Sequence, residues 1–244
     1  MGNFFTIEVK PVITASKQAL GAFADGDLVF DWTSFDIPRG PARLHQAMVV
    51  ARGTDGVAQS FALNMFFAKT LNNGNSAPGS LGTIHATANG TGYQNHILGA
   101  IQQEETDIKT GTDILFVGNS ANGTRYNPML VLQGEPGTGT NVGYDKLYIG
   151  ATTVDGTPNF ASTVQVSTET ATNTTAVVVK TTSALTTFDK NDVLHDEDDQ
   201  VIGTIKSVTD ATNLVLKANC ASVSAVNKDL YNVSPITIIL SFER

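Results

Sequence analysis

Two segments far apart in the chain keep the same two-residue rhythm, and nothing else in the sequence constrains the fold as strongly. In "FFTIEVK", Phe5, Ile7 and Val9 fall on one face while Thr6, Glu8 and Lys10 fall on the other. In "PITIILSFER", Ile236, Ile238, Leu240 and Phe242 alternate with Thr237, Ser241 and Glu243. Side chains on a strand point to opposite faces in turn, so each segment reads as a strand with one face on a core. The matching patterns predict that the last strand joins the sheet that the first one opens.

The rest of the chain extends this all-β reading. Charged residues make up 16% of the 244 residues, below the roughly 25% usual in globular chains. Helix formers are sparse while Thr, Val, Gly and Asn are abundant, which favours strands joined by tight turns. "ARLHQAMVVAR" and "VAQSFALNMFFAK" flank "GTDG", whose Asp55-Gly56 pair supplies the positive φ of a hairpin turn. In the second run Phe61, Leu63, Met65 and Phe67 share one face. Further strands are expected at "DILFVG", "PMLVLQG" and "KLYIGATTV". "FDWTSFDIPRG" reads as a structural corner, with Trp32 and Phe35 plugging the core and Pro38 and Gly40 turning the chain. Short strands at this spacing predict a jelly-roll-like β-sandwich.

Near Thr168 the composition shifts. "STETATNTTA" is a Thr-rich linker, followed by short strand signals in "AVVVKTT", "DVLHDEDDQVIGTIKSV", "NLVLKA" and "DLYNVS". This length and pattern suit a small SH3-like β-barrel. The expected organisation is a sandwich over residues 1–168 plus 233–244, with the barrel inserted at 169–232.

Several function classes are disfavoured at this level. A net charge of −8 with 15 scattered basic residues offers no positive stripe for nucleic acid. No window reaches the roughly 20 apolar residues of a membrane helix, and "MGNFFTIEVK" lacks the features of a secretory signal. A soluble chain made in a cytoplasm is the expectation. Cys220 stands alone and reads as a small buried residue. Asn89, Asn122, Asn173 and Asn232 match the glycosylation acceptor pattern, as chance allows in so Thr- and Asn-rich a chain.

Candidate chemistry concentrates in "HDEDDQ". Asp196, Asp198 and Asp199 are weak calcium-ligand candidates beside Glu197 and His195. Calcium needs converging oxygens, yet adjacent strand residues point apart and the EF-hand spacing is missing, so a solvated hairpin turn is the preferred reading. "GEPGTGTNVG" has the wrong spacing at Gly137, Gly139 and Gly143 for a phosphate loop and leads into a strand. His45, His85 and His96 lack a nucleophile elbow. Asp31 and Asp36, flanking Trp32, are the acids in the most apolar context. No catalytic residue and no cofactor is expected. The long loop "LNNGNSAPGSLGTIHATANGT" is expected to touch a neighbouring subunit, through Asn72, Asn75, Pro78 and His85.

At "FDIPRGPARL", "GTDGVAQSFALNMFFAK", "YQNHILG" and "GEPGTGTNVGYDKLYI", the chain resembles virion structural proteins of tailed marine phages, cyanophage-like in character. "DVLHDEDDQVIGTIKSVT" resembles a small β module that recurs in phage head and tail proteins. The resemblance implies a capsid decoration or cement protein on the virion surface, binding the major capsid protein by multivalent contacts without chemistry. Head fibre, neck and tail components are neighbouring roles. It also implies a homo-oligomer, with a trimer favoured, in which Phe5 and Ile7 of the first strand take part. A glycan-binding module would need exposed aromatics such as Trp32, Tyr93 or Tyr126, and a hydrolase would need two close, buried carboxylates.

Overall fold

The computed structural model describes residues 2–57, 59, 61–69, 78–88, 97–103, 108–110, 115–119, 130–136, 142–180 and 184–244, with the backbone alone at 108–110 and 115–119. Alternating apolar positions become strands β1 (Phe4–Val9), β2 (Leu28–Pro38), β3 (Ala42–Ala51), β4 (Phe61–Ala68) and β5 (Ile97–Gln103). Then come β6 (Ile108–Thr110), β7 (Leu115–Asn119), β8 (Leu130–Leu132), β9 (Glu135–Pro136) and β10 (Tyr144–Gly156). The C-terminal part contributes β11 (Ala176–Val178), β12 (Val193–Asp196), β13 (Val201–Val208), β14 (Asn213–Leu216), β15 (Leu230–Asn232) and β16 (Ile236–Glu243). Two single-turn helices, α1 (Ala15–Gln18) and α2 (Ala184–Thr187), and a 3-10 turn at Thr54–Gly56 complete the described elements.

The strands form three antiparallel sheets. The first runs β1-β16-β3-β7-β6 with β8 also on β3; the second runs β2-β10-β4-β5 with β9 on β10. Leu44, Val49, Ile238, Leu240 and Phe242 of the first sheet share one core with Phe35, Ile37, Leu63, Met65, Phe67 and Ile149 of the second. The protein is therefore all-β, and these two sheets form a sandwich. With the eight longer-range strands β1, β2, β3, β4, β5, β7, β10 and β16 numbered in chain order, one sheet reads 1-8-3-6 and the other 2-7-4-5.

β16 lies between β1 and β3, with Phe242 beside Phe5 on one side and Leu44 on the other. Its residues alternate buried and half-buried along the whole strand. The shared rhythm of the first and last strands is thus the rhythm of two neighbours in one sheet.

The third sheet, β11-β14-β13-β12-β15, encloses a second core of Val177, Leu194, Ile202, Ile205, Leu214, Leu216 and Leu230, with Cys220 buried among them. Val164 and Val166 belong to this core, although they precede the composition change at Thr168. Backbone bonds from Leu230 to Val164 and from Val166 to Lys228 tie them in.

Two local expectations are corrected. Asp55 and Gly56 do have positive φ, at 50° and 79°, but the strands they join do not form a hairpin. β3 already has β16 and β7 or β8 on its two sides, and β4 has β10 and β5, so the turn is an arch between sheets. Turn chemistry supplies the backbone angles for either outcome; edge availability decides. Nor is "FDWTSFDIPRG" a corner along most of its length: Phe30 to Pro38 belong to the eleven-residue strand β2. Phe35 and Ile37 reach the core, whereas Trp32 is half-buried outside it, its ring crowded with Leu81 over Gly150. The turn comes only at Arg39 and Gly40, where the Gly40 N–H is held by Asp145 at 2.9 Å.

Candidate functional site

The acidic turn joins β12 to β13, and every carboxylate in it is engaged within the chain. Asp196 is buried, and its Oδ1 accepts the backbone N–H groups of Asp198 at 3.1 Å and Gln200 at 3.0 Å. Its carbonyl accepts the Asp199 N–H, and Asp199 takes a φ of 62°, a conformation that short polar side chains tolerate. Glu197 and Asp198 converge on Lys228, at 2.5 Å and 2.9 Å. Those two bonds push the Lys228 ammonium above its ordinary value. Asp199 faces elsewhere and accepts the Ser16 N–H at 3.0 Å. The three candidate calcium ligands therefore serve a loop frame, an ion pair and a long-range tether. Among the described residues, no three His, Cys, Asp or Glu side chains are grouped to hold a metal.

A second polar cluster lies where the two cores meet, and no sequence motif marks it. Arg52, at the end of β3, reaches Asp189 at 2.8 Å and Asp192 at 3.4 Å. Burial pushes the Asp192 carboxyl up, against the Asp189 N–H and the Arg52 charge that pull it down. At the more exposed Asp189 burial also pushes up, but the Lys190 N–H and Arg52 outweigh it and hold that carboxyl low. Beside this fork, a cleft of about 130 Å³ is lined by Lys10, Arg52, Asp189, Lys190, Asp192 and Ser234.

The arch between β3 and β4 makes the second bridge. Asp55 accepts the Thr163 N–H at 2.9 Å and the Thr163 hydroxyl, while its own carbonyl accepts the Thr186 hydroxyl at 2.9 Å. Gln18 adds a third, donating from Nε2 to the carbonyls of Ile13 at 2.6 Å and Asn232 at 2.8 Å. Tyr231, buried at this junction, has its phenol pushed up to about 12, first by burial and then by Asp229 and Glu197. These groups come from positions scattered along the chain with no shared motif. Asp55-Gly56 was legible as a turn, but nothing in the sequence marks its docking partner.

The expected interface residues take different places. Phe5 is half-buried and stacks on Phe242 with ring centroids 5.4 Å apart; Ile7 packs half-buried against the first core. Pro78 is buried within the chain. His85 adopts a φ of 69°, with its ring 4.3 Å from Phe23 and its Nε2 3.2 Å from the Gly21 carbonyl. Asn72 and Asn75 lie outside the described residues, as do His96, Tyr93, Tyr126, Gly137 and Gly139. Gly143 is described, with a φ of 120° just ahead of β10.

Asp31 and Asp36, which flank Trp32 in the sequence, are not brought together by the fold. Asp31 fastens the segment beside β2, accepting the Ser80 hydroxyl at 2.6 Å and the Leu81 N–H at 2.9 Å. Asp36 is exposed and lies opposite Lys146, about 16 Å further along the strand at the usual rise per residue. His45 bonds Glu243 at 2.8 Å, with Phe4 tilted against its ring. No protein-family model matches this chain, and no curated protein matches it either.

Proposed function

We propose that this chain is a virion structural protein of a tailed phage, most specifically a head decoration or cement protein that binds the major capsid protein and stabilises the capsid by contact alone. The observation that carries the reading is the strand order, 1-8-3-6 against 2-7-4-5. That interleaving is the one a jelly roll makes from two Greek keys, an architecture used by viral capsid and lectin domains. Strand order by itself is an argument from fold, so the role rests equally on how the polar groups are used.

Their use supports a binding protein. Asp196 frames its own turn, while Glu197, Asp198, Asp199, Asp31 and Asp55 each fasten one segment of the chain to another. Arg52, Asp55 and Gln18 brace the two cores together, which suits a protein that presents two surfaces in a fixed relation. Lectin-like binding is the runner-up on the same fold, but Trp32 is half-buried beside Leu81 rather than an open platform for a sugar ring. Among the described residues, no helix is long and apolar enough to cross a membrane.

The test is addition of the purified protein to undecorated capsids, imaged by cryo-electron microscopy with and without a calcium chelator. Ordered density at capsomer joints that survives chelation supports the decoration role. Bare capsids overturn it and send the search to neck and tail assemblies and to glycan arrays.

A further inference from the structure

The first sheet has an edge at β1, where among the described strands only β16 lies alongside. Asn3 and Arg244 exchange both backbone bonds, at 3.2 and 3.1 Å, and the register continues from there without a shift. In an antiparallel ladder alternate residues bond the same neighbour. Asn3, Phe5, Ile7 and Val9 therefore spend their backbone groups on β16. Phe4, Thr6 and Glu8 present theirs to the open side, with Lys10 next in the chain just past the strand.

We propose that two copies of this chain pair through β1, antiparallel about a two-fold axis at Ile7, so that the first sheet runs continuously across both. A ladder needs outward-facing residues opposite outward-facing residues, which leaves few registers. An axis at Glu8 sets that carboxylate against its own mate, and an axis at Thr6 sets Phe4 against Glu8 and leaves Lys10 outside. An axis at Val9 runs past the strand end and leaves Phe4 bare. The axis at Ile7 places the Lys10 ammonium over the Phe4 ring, which is 70% exposed in the single chain. It also sets Glu8 beside the Thr6 hydroxyl, and brings Ile7 onto Ile7 and Phe5 onto Val9 on the core-facing side. Glu8 already neutralises Lys10 within each copy at 3.0 Å, so the edge brings no net charge to the seam. The pairing is isologous, which gives a closed two-fold dimer in place of the trimer that the phage resemblance implies. It does not depend on the capsid reading.

Sedimentation equilibrium of the full chain tests it together with two variants. The unmodified chain is expected to be a dimer. Thr6→Pro should weaken that dimer by about a hundredfold or more, because an outward N–H is lost on both sides of the axis and the ring blocks the edge. The same change spares the β16 ladder, so the far-UV spectrum should be unchanged. In a Cys220→Ala background, Ile7→Cys should oxidise to a covalent dimer, because a non-hydrogen-bonded pair brings the two residues within disulfide reach. Phe5→Cys, which faces Val9, should not. A monomer in solution, a dimer indifferent to Thr6→Pro, or a cross-link through position 5 in place of 7 would each overturn the proposal. Capsid binding is read separately, so the two ideas fail independently.

Discussion

Asp199 at the tip of the acidic turn accepts the backbone N–H of Ser16, 183 positions away, at 3.0 Å. A carboxylate committed to such a tether, at the end of a turn framed by Asp196, is placed to hold elements together rather than to bind an ion.

Removing the frame should therefore cost stability and leave metal response untouched. Asp196→Ala strips the acceptor from two part-buried N–H groups and should lower unfolding stability by about 1–2 kcal/mol. Calcium or a chelator should move the melting temperature of neither form. A rise in melting temperature with calcium, lost in Asp196→Ala, would restore the metal reading.

The Arg52 fork predicts a pH-dependent loss. Burial already raises the Asp192 carboxyl, so its ionisation weakens the fold as pH climbs through the folded value, and Arg52 offsets that cost. Asp189 is held low, so the stability it contributes is present above its ordinary value and fades in acid. Both effects make Arg52→Ala worse at neutral pH than near pH 4. A loss of about 2–4 kcal/mol at pH 7, shrinking towards pH 4, is expected from urea titrations. Most of it belongs to Asp192, since Asp189 is largely exposed and screened. An equal loss at both values would show that the guanidinium acts by packing alone.

Gly56 packs directly against backbone at the junction. It holds a φ of 79°, and an added Cβ would stand 2.2 Å from the Thr186 carbonyl oxygen. Gly56→Ala should destabilise by about 2–4 kcal/mol through strain and backbone collision together. Gly26, also at positive φ but with open space around it, should cost about 1 kcal/mol on the same change. Thermal melts of the two variants separate the contributions.

The second core should be removable. The segments near 164–166 and 227–230 run antiparallel and adjacent, so the chain enters and leaves this core at nearly the same place. Replacing residues 164–230 by a short Gly/Ser link is expected to leave a soluble remainder that melts cooperatively. Cutting at 170 instead should strand Val164 and Val166 in solvent and yield a poorer fold. Aggregation of both forms would mean that the sandwich cannot stand without the junction.

The sequence made some of this plain because some patterns have one structural meaning. The alternation survives as exposed and half-buried faces along β1 and as half-buried and buried faces along β16, and Val193, Leu194, Val201 and Ile202 flank a true hairpin turn. Other signals are degenerate. Asp55-Gly56 announces a reversal but not whether the strands remain neighbours, because that depends on edges taken by β16, β7, β8, β10 and β5. Trp32 looked like a core plug because it is large, yet its parity along β2 puts it outside the core that holds Phe35 and Ile37. The junction was illegible for a related reason: Gln18, Arg52, Asp55, Thr163 and Asp192 share no spacing, and only the folded chain assembles them.

The place of β16 between β1 and β3 also fixes an order of assembly. As the chain is synthesised, β1 and β3 emerge early but cannot meet the strand that separates them until the entire second core has been made. The smaller unit, whose contacts are local, is free to close first, while the sandwich keeps two apolar strands unsatisfied across most of translation. Chaperone dependence should accordingly attach to the larger half, and a premature stop just before Pro235 should leave a folded small core joined to an aggregating remainder.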